Sequence, residues 1–222
     1  MHKLLPELLF KVFSDPYPAC DATYLYATTE ANQNSVIDKG VELFNAGLTK
    51  ELWIADTAPK SGYVGVDIWR RLLEEKGMPA EKIIGINTHD YDMLNTYIEA
   101  FEVIGHAKKH DISSLLIVSA PFHQLRAFST IVTAILREYP ALKTYSQAGN
   151  AMAWHEDVSH SQGTLLGNRD DFIYTEIERI DKYNKKGDLA DLEDIIEYLN
   201  TRDIPKGDDL KLATNAGQSL RQ

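Results

Sequence analysis

Five short stretches of this chain are apolar without alternating: Ala22–Ala27, Glu51–Ala55, Lys82–Ile86, Ser114–Ser119 and Lys143–Gln147. A strand with one wet face alternates polar and apolar positions, whereas a strand covered on both faces does not, so these five read as interior strands. Between them the pattern changes to helical period over Asn34–Ala46, Val66–Lys76, Leu94–Lys109 and Pro121–Glu138. Leu94, Tyr97, Ile98, Phe101 and Ile104 fall on one side of the third, and Leu125, Phe128, Val132, Ile135 and Leu136 on one side of the fourth. Strands alternating with amphipathic helices predict βαβ units, hence an α/β protein built on a mainly parallel five-stranded sheet with helices on both faces.

Outside this repeat, Met1–Phe13 predicts a short amphipathic helix, its apolar run interrupted by Pro6, Glu7 and Lys11. After the fifth strand comes a polar and aromatic loop, Gly149–Leu165, and then two helices, Asp170–Lys186 and Asp188–Thr201. Gly187 is placed to end the first and Asp188 to cap the second. Leu189, Leu192, Ile195, Ile196 and Leu199 give the second an apolar stripe that should pack back on the body. The expected division is therefore an α/β domain over residues 1–166, a helical extension over 167–202, and an extended or disordered tail over 203–222 that carries Pro205, Gly207 and Gly217.

Composition narrows the function classes. With 44% hydrophobic and 25% charged residues the chain is neither fibrous nor disordered. Its 33 acidic against 23 basic side chains give a net charge of −10, the wrong sign for coating nucleic acid or lying on anionic lipid. No stretch predicts a membrane span, and the N-terminal run is too broken for a signal-peptide core. A single cysteine, Cys20, excludes an internal disulfide and, with a cytoplasmic location expected, reads as a small buried hydrophobe.

In an open parallel sheet, ligands bind beyond the carboxyl ends of the strands, where helices begin. That rim should hold Thr28 and Thr29 after the first strand, Asp56, Ser61 and Gly62 after the second, His89 and Asp90 after the third, Ser119 and His123 after the fourth, and Trp154, His155, Glu156, His160, Ser161 and Gln162 after the fifth. The most informative stretch is Ser119–Ala127. Pro121 suits the first position of a helix, and His123 and Arg126, three residues apart, share a face that Thr130 and Thr133 continue. Ser119, backbone N–H groups, His123 and Arg126 can converge on an anion; alternatively Ser119 caps the helix and Arg126 pairs with a surface carboxylate. Thr96 and Glu99 have the spacing of a capping box. The His155 to Gly163 segment reads as a substrate lid rather than a metal site. There is no G-x-G-x-x-G, no P-loop and no G-x-S-x-G elbow.

These residues resemble the bacterial family sharing domain of unknown function 218, the YdcF, SanA and ElyC proteins among them. The resemblance rests on Asp21 opening the first strand, on Asn95, Thr96 and Glu99 at a helix start, and on Ser119, Phe122, His123, Arg126 and Ala127 after a later strand. It covers Asp21 to Leu136, and Glu176, Ile177, Arg179, Ile180, Tyr183, Gly187 and Asp188 resemble the C-terminal extension of the YdcF-like branch. It implies a Rossmann-like three-layer sandwich with these motifs around one pocket, S-adenosylmethionine or a nucleotide as possible ligand, and a link to the cell envelope among anchored relatives. The chain departs from the family at Ala27–Glu30, where a glycine-rich turn is replaced, and at Ser61 and Gly62, where a Ser-Gly element is displaced.

The expected function is binding of a nucleotide-like or phosphorylated small molecule, with group transfer or hydrolysis as its chemistry. His123, Glu99 and Asp56 are the expected catalytic groups. Ser61, Gly62, Asn95, Thr96, Ser119, Phe122, Arg126 and His160 are the expected ligand contacts. Two other readings stay open: a non-catalytic sensor of a metabolite such as S-adenosylmethionine, and a protein partner in envelope maintenance that docks through the acidic tail.

Overall fold

The computed structural model describes residues 3–160 and 164–204. Its elements run α1 (Leu5–Phe13), β1 (Ala22–Leu25), α2 (Glu30–Asn45), β2 (Leu52–Asp56), α3 (Val66–Glu75), β3 (Ile83–Asn87), α4 (Thr96–Lys109), β4 (Ser114–Ser119), α5 (Gln124–Glu138), β5 (Lys143–Ala148), β6 (Asp157–His160), β7 (Leu165–Asn168), α6 (Asp171–Lys186) and α7 (Leu192–Thr201). The five-stranded sheet has the order β3-β2-β1-β4-β5 and every pairing in it is parallel. The fold is thus a Rossmann-like α/β sandwich, and the strand order reverses between β1 and β4, the position where such sheets open a crevice.

The absence of alternation has the expected cause. Tyr24, Trp53, Leu115 and Ile117 face one core with α1, α4, α5 and α7, while Leu25, Leu52, Ile54, Leu116 and Val118 face another with α2 and α3. Ile180, Leu189, Leu192, Ile195, Ile196 and Tyr198 share the first core with Leu5, Leu8 and Val12, so the end of α6, α7 and α1 close the same face of the sheet, while Phe172 at the start of α6 packs in the second core. Cys20 is buried. No helix among the described residues is long and apolar enough to cross a membrane.

Several boundaries differ from the sequence reading. Helix α2 begins at Glu30 rather than Asn34. Its first turn buries polar Asn32 and Gln33, which donate to Ser159 O and accept from Trp69 Nε1 respectively, so a search for apolar period passes over it. Helix α5 begins at Gln124; Pro121 lies in the preceding turn, and the N–H groups of His123 and Gln124 both donate to Ala120 O. Helix α7 begins at Leu192 with Asp191 at its N-cap, not at Asp188. Gly187 ends α6 in the left-handed conformation, φ 79°.

The largest correction lies in residues 149–168. The expected loop contains half of a β-hairpin, β6 paired antiparallel with β7. Buried Arg169 fixes the end of this hairpin to α2, donating to Asn32 Oδ1 (3.0 Å), Glu156 Oε2 (2.8 Å), Ala31 O and Ala153 O. Gly149 is required where the chain leaves β5, because a Cβ there would stand 2.6 Å from Ser35 Oγ. Ser161, Gln162 and nearly all of the tail, from Pro205 onward, fall outside the described residues.

Candidate functional site

A cavity of about 560 Å³ opens at the carboxyl edge of the sheet, at the β1/β4 reversal. That volume suits a small-molecule ligand. Residues from every layer meet in it: Ala27–Thr29 after β1, Ser61 and Tyr63 after β2, Met93–Tyr97 and Glu99 at the start of α4, His123, Arg126 and Thr130 on α5, His160 on β6, and Arg179, Tyr183, Lys186, Asp188 and Leu189 from α6 and the turn after it.

The Thr96–Glu99 pair is not a capping box. Asn95 is the N-cap, its Oδ1 accepting from Ile98 N at 3.0 Å, and this frees Thr96 and Glu99 for other partners one turn into the helix. Glu99 is buried, and both of its hydrogen bonds arrive at Oε2, from Tyr24 OH at 2.6 Å and from Ala27 N at 2.9 Å. No described residue donates to Oε1, while Glu99 lines the cavity. Burial pushes the carboxyl up to about 7, against the opposing pull of Tyr24, Ala27 N and the Arg126 guanidinium. A carboxyl anchored at one oxygen and divided between its two protonation states near neutrality is suited to acid-base work.

His123 is buried with Nδ1 at 2.8 Å from Ser119 Oγ and Nε2 at 3.1 Å from Thr96 Oγ1. Burial, reinforced by Arg126, holds the ring well below its ordinary range and therefore neutral, although Glu176 at 3.9 Å pulls the other way. Either neutral tautomer satisfies both hydroxyl groups, one nitrogen donating while the other accepts.

Arg126 meets no surface carboxylate. Its Nε donates to Glu176 Oε2 at 2.5 Å, Nη2 to Glu176 Oε1 at 3.3 Å, and Nη1 to Thr96 Oγ1 at 2.9 Å. Glu176, on α6, is buried, and also accepts from Arg179 Nη1 at 2.7 Å and contacts His160 Nε2 at 3.0 Å. Burial alone would raise its carboxyl, but the Arg126 guanidinium, with the hydrogen bond to His160, holds it well below the usual carboxylate range.

Of the residues singled out from sequence, Glu99, His123, Ser61, Asn95, Thr96, Arg126 and His160 line the cavity. Asp56, Gly62, Ser119 and Phe122 do not. Asp56 ends β2 and its carboxylate lies over Gly85, where a Cβ would come within 3.0 Å of Oδ2. Gly62 turns the chain with φ 79° beside Ser61, whose Oγ accepts from Leu94 N. Ser119 supports His123 from below. Phe122 packs edge-on to His160, with ring centroids 4.8 Å apart. In the expected lid, His160 reaches the cavity, whereas Trp154, His155 and Glu156 lie outside its lining. Asp21 sits at the opposite, amino edge of the sheet, where it ties Ser113 and Ser114 to Lys50.

Residue-by-residue reading missed the contributions of Tyr24 and Glu176. Each carried a signal: a tyrosine inside an apolar strand must find a partner for its hydroxyl, and Glu176 stands between Phe172 and Ile180 on the buried stripe of α6. Comparison with protein-family models, curated proteins and solved structures finds no match.

Proposed function

We propose that this protein is an enzyme that binds an anionic, nucleotide-like or phosphorylated small molecule at the carboxyl edge of its sheet and transfers or cleaves a group with Glu99 as acid and base. The observation that carries this reading is the Glu99 carboxyl, anchored at Oε2, turned to the cavity, and set beside Arg126. Ionised Glu99 takes the proton of an attacking hydroxyl or water, and the protonated form returns it to the leaving group. Arg126 lines the cavity and keeps N–H groups beyond those spent on Glu176 and Thr96, so it is the cation assigned to the anion. His123, neutral and held between Ser119 and Thr96, fixes Thr96 rather than carrying the proton, a change from the role expected of it. The likeness to the domain of unknown function 218 family is consistent with this grouping of motifs and remains part of the proposal.

The test is a thermal-shift panel of inorganic phosphate, nucleoside phosphates, sugar nucleotides and S-adenosylmethionine, followed by product analysis with wild type and Glu99→Gln. A ligand at 100 times its Kd stabilises by about 2.7 kcal/mol. The expected outcome is a ligand that binds both proteins but is converted by wild type alone. Conversion at an undiminished rate by Glu99→Gln would refute the assignment. A second reading, a non-catalytic metabolite sensor, is favoured by the engagement of both His123 ring nitrogens with Ser119 and Thr96, which takes the histidine of the site out of proton transfer. Return of the bound ligand unchanged from wild type would select it.

A further inference from the structure

Buried positions on α6 recur every four residues, at Phe172, Glu176 and Ile180. A carboxylate therefore occupies a place where an apolar side chain would pack, and burying a charge is unfavourable unless it is paired and hydrogen-bonded. Glu176 meets that condition with partners from three elements: Arg126 on α5, His160 on β6 and Arg179 on its own helix. The connections continue beyond it. Arg126 Nη1 donates to Thr96 Oγ1, which lies 3.1 Å from His123 Nε2, and His123 Nδ1 lies 2.8 Å from Ser119 Oγ. One chain of hydrogen bonds thus joins α6, α5, the start of α4 and the end of β4.

We propose that Glu176 is the positioning residue of the site: docking of α6 holds Arg126 against Thr96 and sets how much of that cation's charge is felt by Glu99. Arg126 reaches Glu99 through the start of α4: it bonds Thr96, three residues before Glu99 on the same helix, and both Arg126 and Glu99 line the cavity. Its charge accordingly lowers both carboxyls, so the two are coupled through a cation they share. The groups facing Glu99 are Tyr24 on β1, Tyr26 just after it, Tyr63 after β2 and Arg126 on α5. Those facing Glu176 are Arg126, His123, His160 and Arg179. Arg126 appears in both sets and bonds Glu176 directly. If α6 and its carboxylate are withdrawn, an uncompensated Arg126 should favour ionised Glu99 and spoil its balance between acid and base. The consequence for catalysis rests on the proposed role of Glu99, whereas the coupling itself does not.

The experiment follows the Glu99 side-chain carboxyl by carbon-13 NMR through a pH titration of the full chain, in wild type, Glu176→Gln, and Glu176→Gln combined with Arg126→Gln. In Glu176→Gln the Glu99 midpoint should fall by roughly one pH unit, the effect of unmasking a nearby cation. In the double variant, with the cation itself gone, it should rise above the wild-type value, because Arg126 lowers the Glu99 carboxyl in the wild type. A folded Glu176→Gln protein with an unmoved Glu99 midpoint would overturn the proposal, since a merely structural role would change the melting temperature and leave that midpoint in place. Should the single variant fail to fold, the double variant decides alone: a midpoint above wild type supports the coupling, and an unchanged one refutes it. A parallel titration with inorganic phosphate keeps the two ideas separate, because absence of phosphate binding to wild type counts against the proposed anionic ligand and leaves the Glu99 response intact as a test.

Discussion

Replacing Glu99 by glutamine should make the protein more stable at alkaline pH while abolishing its acid-base chemistry. The folded protein holds the Glu99 carboxyl at about 7 against an ordinary value of 4.5. Between those values the native state retains a proton that the unfolded chain has released. Stability therefore falls as pH rises through this window, by about 1.4 kcal/mol per unit. Over the whole gap the wild type loses about 3 kcal/mol, and the loss is complete near pH 8. Glutamine stays neutral, and its carbonyl oxygen can still accept from Tyr24 OH and Ala27 N. The difference in unfolding free energy, variant minus wild type, should therefore rise by about 3 kcal/mol from pH 4.5 to 8. The absolute curves are less informative, because buried His123 contributes the opposite slope below 6.5: the folded state refuses a proton there that the unfolded chain accepts. That contribution is common to both proteins and cancels in the difference. Urea titrations at half-unit pH steps measure it. A difference that stays flat with pH would show that Glu99 is ionised throughout and would remove the physical basis for its catalytic assignment.

Tyr24→Phe removes a hydrogen bond received by the ionised carboxylate at 2.6 Å; bonds of this kind contribute about 1.5–3 kcal/mol, so the Glu99 midpoint should climb by roughly 1–2 units. Carbon-13 titration reads the shift, and a static midpoint would mean that the Ala27 N–H is anchor enough. At the β5 edge of the sheet, the buried Arg202 side chain donates to Asp15 and to Thr144 O, joining the end of α7 to β5 and to the residues after α1. Arg202→Ala removes the counter-charge of Asp15, which keeps its bond from Ser146 N, and should cost about 3–5 kcal/mol in urea unfolding, while a cost within the ~0–1 kcal/mol of a surface pair would mark the clasp as dispensable.

The architecture was legible because it is written locally. Residues 22–25, 52–56 and 114–119 form the inner strands, buried on both faces, and a non-alternating apolar run reports that condition without reference to any distant residue. The edge strands 83–87 and 143–148 are only partly buried, and the second of them is mostly polar. Elements whose local pattern is weak were harder to see. The hairpin β6–β7 places Val158 and His160 inward and exposes Leu166, too short and mixed a signal to stand out from a polar loop. The first turn of α2 was hidden because its buried positions are Asn32 and Gln33, whose polar groups are satisfied by Ser159 and Trp69 rather than by water.

At the site, sequence alone determined which residues share a helix face: His123 with Arg126, and Thr96 with Glu99, since a spacing of three residues fixes that in any α-helix. It could not decide what those faces meet. Glu99 takes its strongest bond from Tyr24, 75 residues away, and Arg126 takes its counter-charge from Glu176, 50 residues away. Asp56 and Gly62 stand at the carboxyl end of a strand or just beyond it, as Ala27 and Thr28 do, yet the cavity forms at the β1/β4 reversal and passes them by. A capping box and a buried acid have the same spacing; only the seating of Asn95 as the N-cap releases Glu99 to Tyr24. The proton affinities follow from the same cause, because desolvation and the field of distant charges exist only once the chain has excluded water from around them. Periodicity is a property of neighbours in sequence and survives without the fold, whereas the pairing of charges in a low-dielectric interior is created by the fold.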